Sequence, residues 1–223
     1  SYSPATGPED WLSRSAEPDR RWMRGDAARA LAYCWSEADG FPPPVRDVLA
    51  AEDLFREIEF LFAIPGHRLP ESSAATPLSR SDIWVLARCP AGLVSIDVYG
   101  QATEPPGPTV KEWTENSPPG TGLGLGYLCR TLGLVPPLPG GIRYPLLPWA
   151  ASAVLAARRY AARHAVLLIH SFRSGDGWFG EYGRFVGLFG AAGGVDRLVP
   201  VRKLSGVWLH FAWVRGEERY LDR

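Results

Sequence analysis

Apolar positions recur with helical spacing between Glu9 and Asp39: Trp11 and Leu12, then Trp22, Ala27, Ala30, Leu31, Cys34 and Trp35. Side chains three and four residues apart share one helix face, so this spacing predicts a helix over Asp26 to Ala38. Asp26 is placed to cap its start, and Gly40 followed by Pro42, Pro43 and Pro44 stops it. Val45 to Phe62 predicts a further helix or two, broken by Pro65, Gly66 and Pro70. Glu71 to Ser79 reads as a Ser/Ala/Pro loop.

The pattern then changes. Ile83-Trp84-Val85-Leu86-Ala87-Arg88, a Cys-Pro-Ala-Gly turn and Leu93 to Val98 predict a β-hairpin. Glu104 to Pro108 is a Pro-rich loop, after which Thr109 is placed to cap a short helix. Gly122 to Gly133 predicts a buried helix weakened by its glycines. Tyr144 to Arg163 predicts a long, alanine-rich helix. Ala165 to His170 is a short, fully apolar run, the pattern of a strand buried on both faces. Trp178 to Phe189 predicts a helix, and Val207 to Val214 alternates as a last strand. The fold class expected is therefore α/β: one mixed sheet with flanking helices in a single domain over 1–223, led in by a polar Ser1 to Pro8.

Composition narrows the function classes. At 223 residues and 46% apolar content, the chain can build one sizeable core without disulfide or metal staples. The formal net charge is zero, which argues against a dedicated nucleic-acid binder without excluding a local basic patch. Cys34, Cys89 and Cys129 are odd in number and widely spaced, so buried free thiols in a reducing cytoplasm are expected. Ser1 to Asp10 has no apolar core, so no signal peptide is expected, and no apolar run is long enough to span a bilayer. The Gly122-x-Gly124-x-Gly126 stretch lacks the Lys-Ser/Thr of a phosphate loop. No cofactor and no metal is expected.

Candidate chemistry centres on the hairpin. Asp97 and Tyr99 are two apart on one strand, hence on one face, and Asp82 heads the neighbouring strand. With Gln101 and His67 they form a set of acid-base and hydrogen-bonding groups. Trp84, Trp149, Arg143, Tyr144 and His170 are the candidates for ligand contact, and Trp178 joins the tryptophans to test. Plainer readings stand beside these. Asp97 can face solvent, Tyr99 can be an ordinary half-buried sheet residue, and His67 a surface-loop residue. His164 and His210, beside the strands, read as structural.

Ser81-Asp82-Ile83-Trp84, Val98-Tyr99-Gly100-Gln101 and Glu104-Pro105-Pro106-Gly107-Pro108-Thr109 together resemble motifs of the DUF6946 family of bacterial proteins. So do Thr6 to Trp11, Ala63-Ile64-Pro65-Gly66-His67, Gly141-Ile142-Arg143-Tyr144, His170-Ser171-Phe172 and Trp213-Val214-Arg215-Gly216. The resemblance covers nearly the whole chain. It implies a restriction-endonuclease-like, PD-(D/E)XK fold, in which two carboxylates hold a divalent cation and a lysine orients the attacking water. The departures bear on activity. Where the family pattern has Glu and Lys, this chain has Tyr99 and Gln101. Gly66 replaces a Glu, Pro145 and Pro148 replace a Gln and a His, and Thr121-Gly122-Leu123-Gly124 replaces a basic run. All of these remove polar or charged groups from one region. The expectation is a nuclease-like scaffold with a degenerate metal site, repurposed for a small, mostly hydrophobic molecule. A metal-dependent nuclease and a non-catalytic pseudonuclease acting through macromolecular contacts remain the alternatives.

Overall fold

Six strands form one mixed sheet in the order β1-β2-β3-β4-β6-β5. The structure, a computed structural model, describes residues 7–8, 10, 25–70, 78–102, 107–118, 122–173 and 177–223. Trp11, Leu12, Trp22, most of the Glu71 to Ser79 loop and part of the Glu104 to Pro108 loop lie outside them. The strands are β1 (Glu59–Pro65), β2 (Ile83–Cys89), β3 (Gly92–Gln101), β4 (His164–Ser171), β5 (Arg197–Leu204) and β6 (Val207–Arg215). Six α-helices accompany them among the described residues: α1 (Ala27–Glu37), α2 (Pro43–Ala50), α3 (Val110–Asn116), α4 (Gly122–Leu132), α5 (Leu146–Arg159) and α6 (Phe179–Gly187). The result is a single α/β domain.

The hairpin expected at Ile83 to Val98 is β2 and β3, paired antiparallel from Ile83–Val98 to Cys89–Gly92. Its tight turn needs Gly92, whose φ of 124° is a conformation that L side chains rarely adopt. β1 adds antiparallel to β2, whereas β4 runs parallel to β3 and β6 parallel to β4. A parallel neighbour requires a crossover, and α5 supplies it between β3 and β4. Every residue of β4 is buried, as its unbroken apolar run implies.

The two faces of the sheet bury separate cores. Trp84, Tyr99, Leu167, Ile169, Phe211 and Trp213 pack with α4, α5 and α6. Ile83, Val85, Ile96, Val98, Val166 and Leu168 pack on the other face with α1 and α2. Thr109 caps α3 as expected, in a reciprocal pair with Glu112. Pro145 and Pro148 sit at the start of α5, where backbone N–H groups have no helical acceptor and none is lost. Cys34, Cys89 and Cys129 are buried free thiols.

One expectation is corrected, and one element is added. The helices expected over Val45 to Phe62 stop early: α2 ends at Ala50, a 3₁₀ turn covers Asp53–Phe55, and Glu59–Pro65 is the edge strand β1. Pairing with the hairpin overrides the apolar run Phe60-Leu61-Phe62, which carries no clear period. β5 was not anticipated. Its Pro200 sits beside a register shift on an edge strand, where a missing N–H is tolerated.

Candidate functional site

Asp97 and Tyr99 lie side by side on β3 under α5. Antiparallel register pairs Asp97 with Trp84, and period-two geometry sets Tyr99 and Gln101 on the same face. Asp97 is only 2% exposed, so the reading that it faces solvent is overturned. Ser81 hydrogen-bonds its carboxyl, yet Oδ2 is buried without a partner. Burial outweighs the serine and pushes the carboxyl up to about 7. Tyr99 is 3% exposed and its hydroxyl also lacks a hydrogen-bond partner. Burial, then repulsion from Asp97, raises its pKa well above the ordinary phenol value; the nearby Ser79 side chain, too far for a well-formed hydrogen bond, lowers it in part, and Asp82 adds a smaller rise. The phenol therefore stays protonated while the acid beside it is poised near neutrality.

Aromatic and hydroxyl side chains enclose the pair. Trp149, in the first turn of α5, stacks on Tyr99 with ring centroids 4.1 Å apart and planes 11° from parallel. One turn along, the buried Ser152 Oγ accepts from Ser79 N at 2.9 Å and donates to Ser79 O at 3.3 Å. Trp84 Nε1 donates to Ser95 Oγ at 2.8 Å. His67 is half-buried: its ring stacks on Trp84 at 4.8 Å, and Nε2 lies 3.2 Å from the Tyr160 hydroxyl. Burial, then the Arg159 charge, pushes His67 down to about 4, so it is neutral at physiological pH. The surface-loop reading of His67 thus gives way to a packed one.

The remaining candidates divide. Asp82 heads β2, and its Oδ2 accepts from the Gly100 backbone N–H at 2.8 Å. Gln101 Oε1 accepts from Trp178 Nε1 at 2.9 Å. Arg143 bonds Glu181 at 2.7 Å and Tyr144 stacks on Trp113 at 4.0 Å, so both are engaged at the loop joining α4 to α5. His170 points away. Alternation along β4 puts it on the α1 face, where its Nδ1 accepts from Trp35 Nε1 at 3.2 Å. Ser79, Ser152 and Tyr160 were missed by sequence reasoning. Ser152 was the detectable one, since it sits three residues after Trp149 on the same helix face.

The residues present do not fit the divalent cation that the resemblance implies. A metal centre there needs several anionic oxygens, but Tyr99 is a neutral phenol and the Gln101 carbonyl is taken by Trp178. No group of three or more His, Cys, Asp or Glu side chains able to hold an ion occurs among the described residues. No helix among the described residues is long and apolar enough to cross a membrane.

A family model described as Domain of unknown function (DUF6946) matches residues 4–218. No curated protein and no solved structure matches the chain. The chain belongs to the DUF6946 family.

Proposed function

For this DUF6946 member, we propose a nuclease-like scaffold whose metal site has degenerated and which binds or transforms a small, mostly hydrophobic molecule with acid-base groups. The observation that carries this reading is the pair of unpartnered buried polar atoms, Asp97 Oδ2 and Tyr99 Oη. Buried polar atoms are nearly always hydrogen-bonded, and each exception calls for an explanation, a ligand among them; here two fall on neighbouring residues of one strand face, beside a carboxyl raised by burial. The scaffold reading rests on the antiparallel β1-β2-β3 meander, the α5 crossover and the parallel β4.

The chemistry follows from the two protonation states. Asp97, with a pKa of about 7, can take or give a proton at Oδ2. The Tyr99 hydroxyl donates a hydrogen bond to an oxygen that gains negative charge, in surroundings where such a bond is strong. An apolar ligand body would rest against Trp149, whose ring must turn aside to admit it because it covers Tyr99. Cyclisation and hydrolysis both use this combination of a proton-transfer group and a neutral donor.

The test is thermal unfolding of the wild-type chain and of Asp97→Asn and Tyr99→Phe against apolar small molecules bearing one polar head. A stabilising shift in the wild type that both variants lose supports the proposal. The absence of any shift, or shifts retained by both variants, sinks it. The nuclease alternative draws on the scaffold and on Asp82 at the head of β2. Divalent-metal-dependent cleavage of DNA or RNA, lost in Asp82→Ala, would establish it instead. Nucleic-acid or protein binding that survives loss of both Asp82 and Asp97 would favour the pseudonuclease.

A further inference from the structure

On the opposite face of the sheet from Asp97, the starts of β4 and β6 carry a histidine pair. His164 is 4% and His210 3% exposed, and His164 Nδ1 lies 3.1 Å from His210 Nε2. A single proton sits between two neutral rings, so they share one hydrogen bond. His210 Nδ1 is left buried without a partner. Phe55 packs edge-on against both rings, with centroids 5.3 and 5.2 Å away.

A cavity of about 800 Å³ opens over this pair. Sheet register builds its wall: Pro200 pairs with His210, Lys203 with Trp208, and Trp208 with His164, so all of these side chains project to one face. Leu54 and Trp208, which also line it, are 41% and 45% exposed, so two large apolar side chains meet solvent in one cavity. The charges are of one sign. Arg163 and Lys203 line the cavity, and among the described residues no carboxylate does. Among the described residues neither cation forms an ion pair. The Lys203 ammonium lies 5.9 Å from the centre of the Trp208 ring.

We infer that this cavity is a binding site for a small organic anion with an aromatic or apolar body. The body lies against Trp208 and Leu54, where apolar surface now faces water. The acidic head meets Arg163 and Lys203, whose charges nothing else in the cavity offsets. The neutral histidine pair gives the floor a polar, uncharged surface. A metal ion is disfavoured there, because two fixed positive charges stand beside the only nitrogen ligands. The site stands independently of the function proposed above, since it uses the other sheet face and none of the same residues.

Calorimetric titration of the full chain with naphthoate, naphthyl phosphate and uncharged naphthamide tests it. At least one anion should bind about tenfold or more tightly than the amide, and which anion wins identifies the head group. Replacing Arg163→Gln and Lys203→Gln together should cost the anion about tenfold in affinity with no change in Tm, because both side chains are exposed. Trp208→Ala should weaken acid and amide alike. Binding of both anions no tighter than the amide, unaltered affinity in the double variant, or no heat from either anion at millimolar concentration overturns the inference.

Discussion

The two faces of the central sheet each bury ionisable groups, an acid at the heart of one and histidines at the heart of the other, and the two kinds shift in opposite directions. Under α5, the Asp97 carboxyl is raised to about 7. On the α1 face, His170 and His210 are pushed down to about 3. One cause acts on both. The interior disfavours whichever form carries charge, so an acid keeps its proton and a base sheds it. His67 obeys the same rule on the Asp97 face. Desolvation therefore leads over specific charge partners on both faces, and around pH 6 these groups are all predominantly neutral. The difference is in their partners. His170 accepts from Trp35 and His210 shares a hydrogen bond with His164, each leaving its second ring nitrogen unpartnered. On the other face the unpartnered atoms are an acid oxygen, Asp97 Oδ2, and a phenol hydroxyl, Tyr99 Oη.

The signs of the pH dependence follow. Below pH 6.5 the unfolded chain takes up protons at His170 and His210 that the folded chain refuses, so stability falls on acidification. Asp97 works against this. Between about 7 and 3.8 the folded chain keeps a proton that the unfolded chain has released, so its contribution rises as pH falls.

The largest expected effect comes from removing that opposition. In Asp97→Asn, the unfolding free energy measured in urea should drop between roughly pH 6.5 and 4.5 by on the order of 2 kcal/mol more than in the wild type. A drop no larger than that of the wild type would show Asp97 ionised in the folded chain. His210→Gln should act in the other direction. It should shrink the same acid-side loss by on the order of 2 kcal/mol, whatever its effect on absolute stability. An unchanged slope would mean that His210 titrates normally. Tyr99→Phe should be the smallest. Deleting a buried hydroxyl without a partner should change stability by less than about 1 kcal/mol, and a loss above about 2 kcal/mol would mean that the hydroxyl is bonded.

Much of the fold was legible because the local signals were strong. The apolar runs of β2 and β3 flank a Pro/Gly turn, β4 is uninterrupted, and Thr109 precedes Glu112 by the three residues a capping box needs. β1 and β5 were not legible. Phe60-Leu61-Phe62 suits helix or strand equally, and the mixed Arg197 to Leu204 segment becomes a strand through pairing with β6. In the site, period two was enough to put Asp97, Tyr99 and Gln101 together. The depth of Asp97 was not readable, because it depends on α5 descending on that face.

The sequence alone determined which residues could share a strand face, where the hairpin turns and which segments must be buried. Those follow from local geometry and apolar content, which the chain carries in every context. Only the tertiary structure decided that His170 belongs to Trp35 rather than to the site, and that Trp149 closes over Tyr99. It alone set a carboxyl and three histidines on opposite faces of one sheet. A pKa, a cavity or an unpartnered atom depends on what distant segments place around a group, and no run of neighbouring residues contains that information.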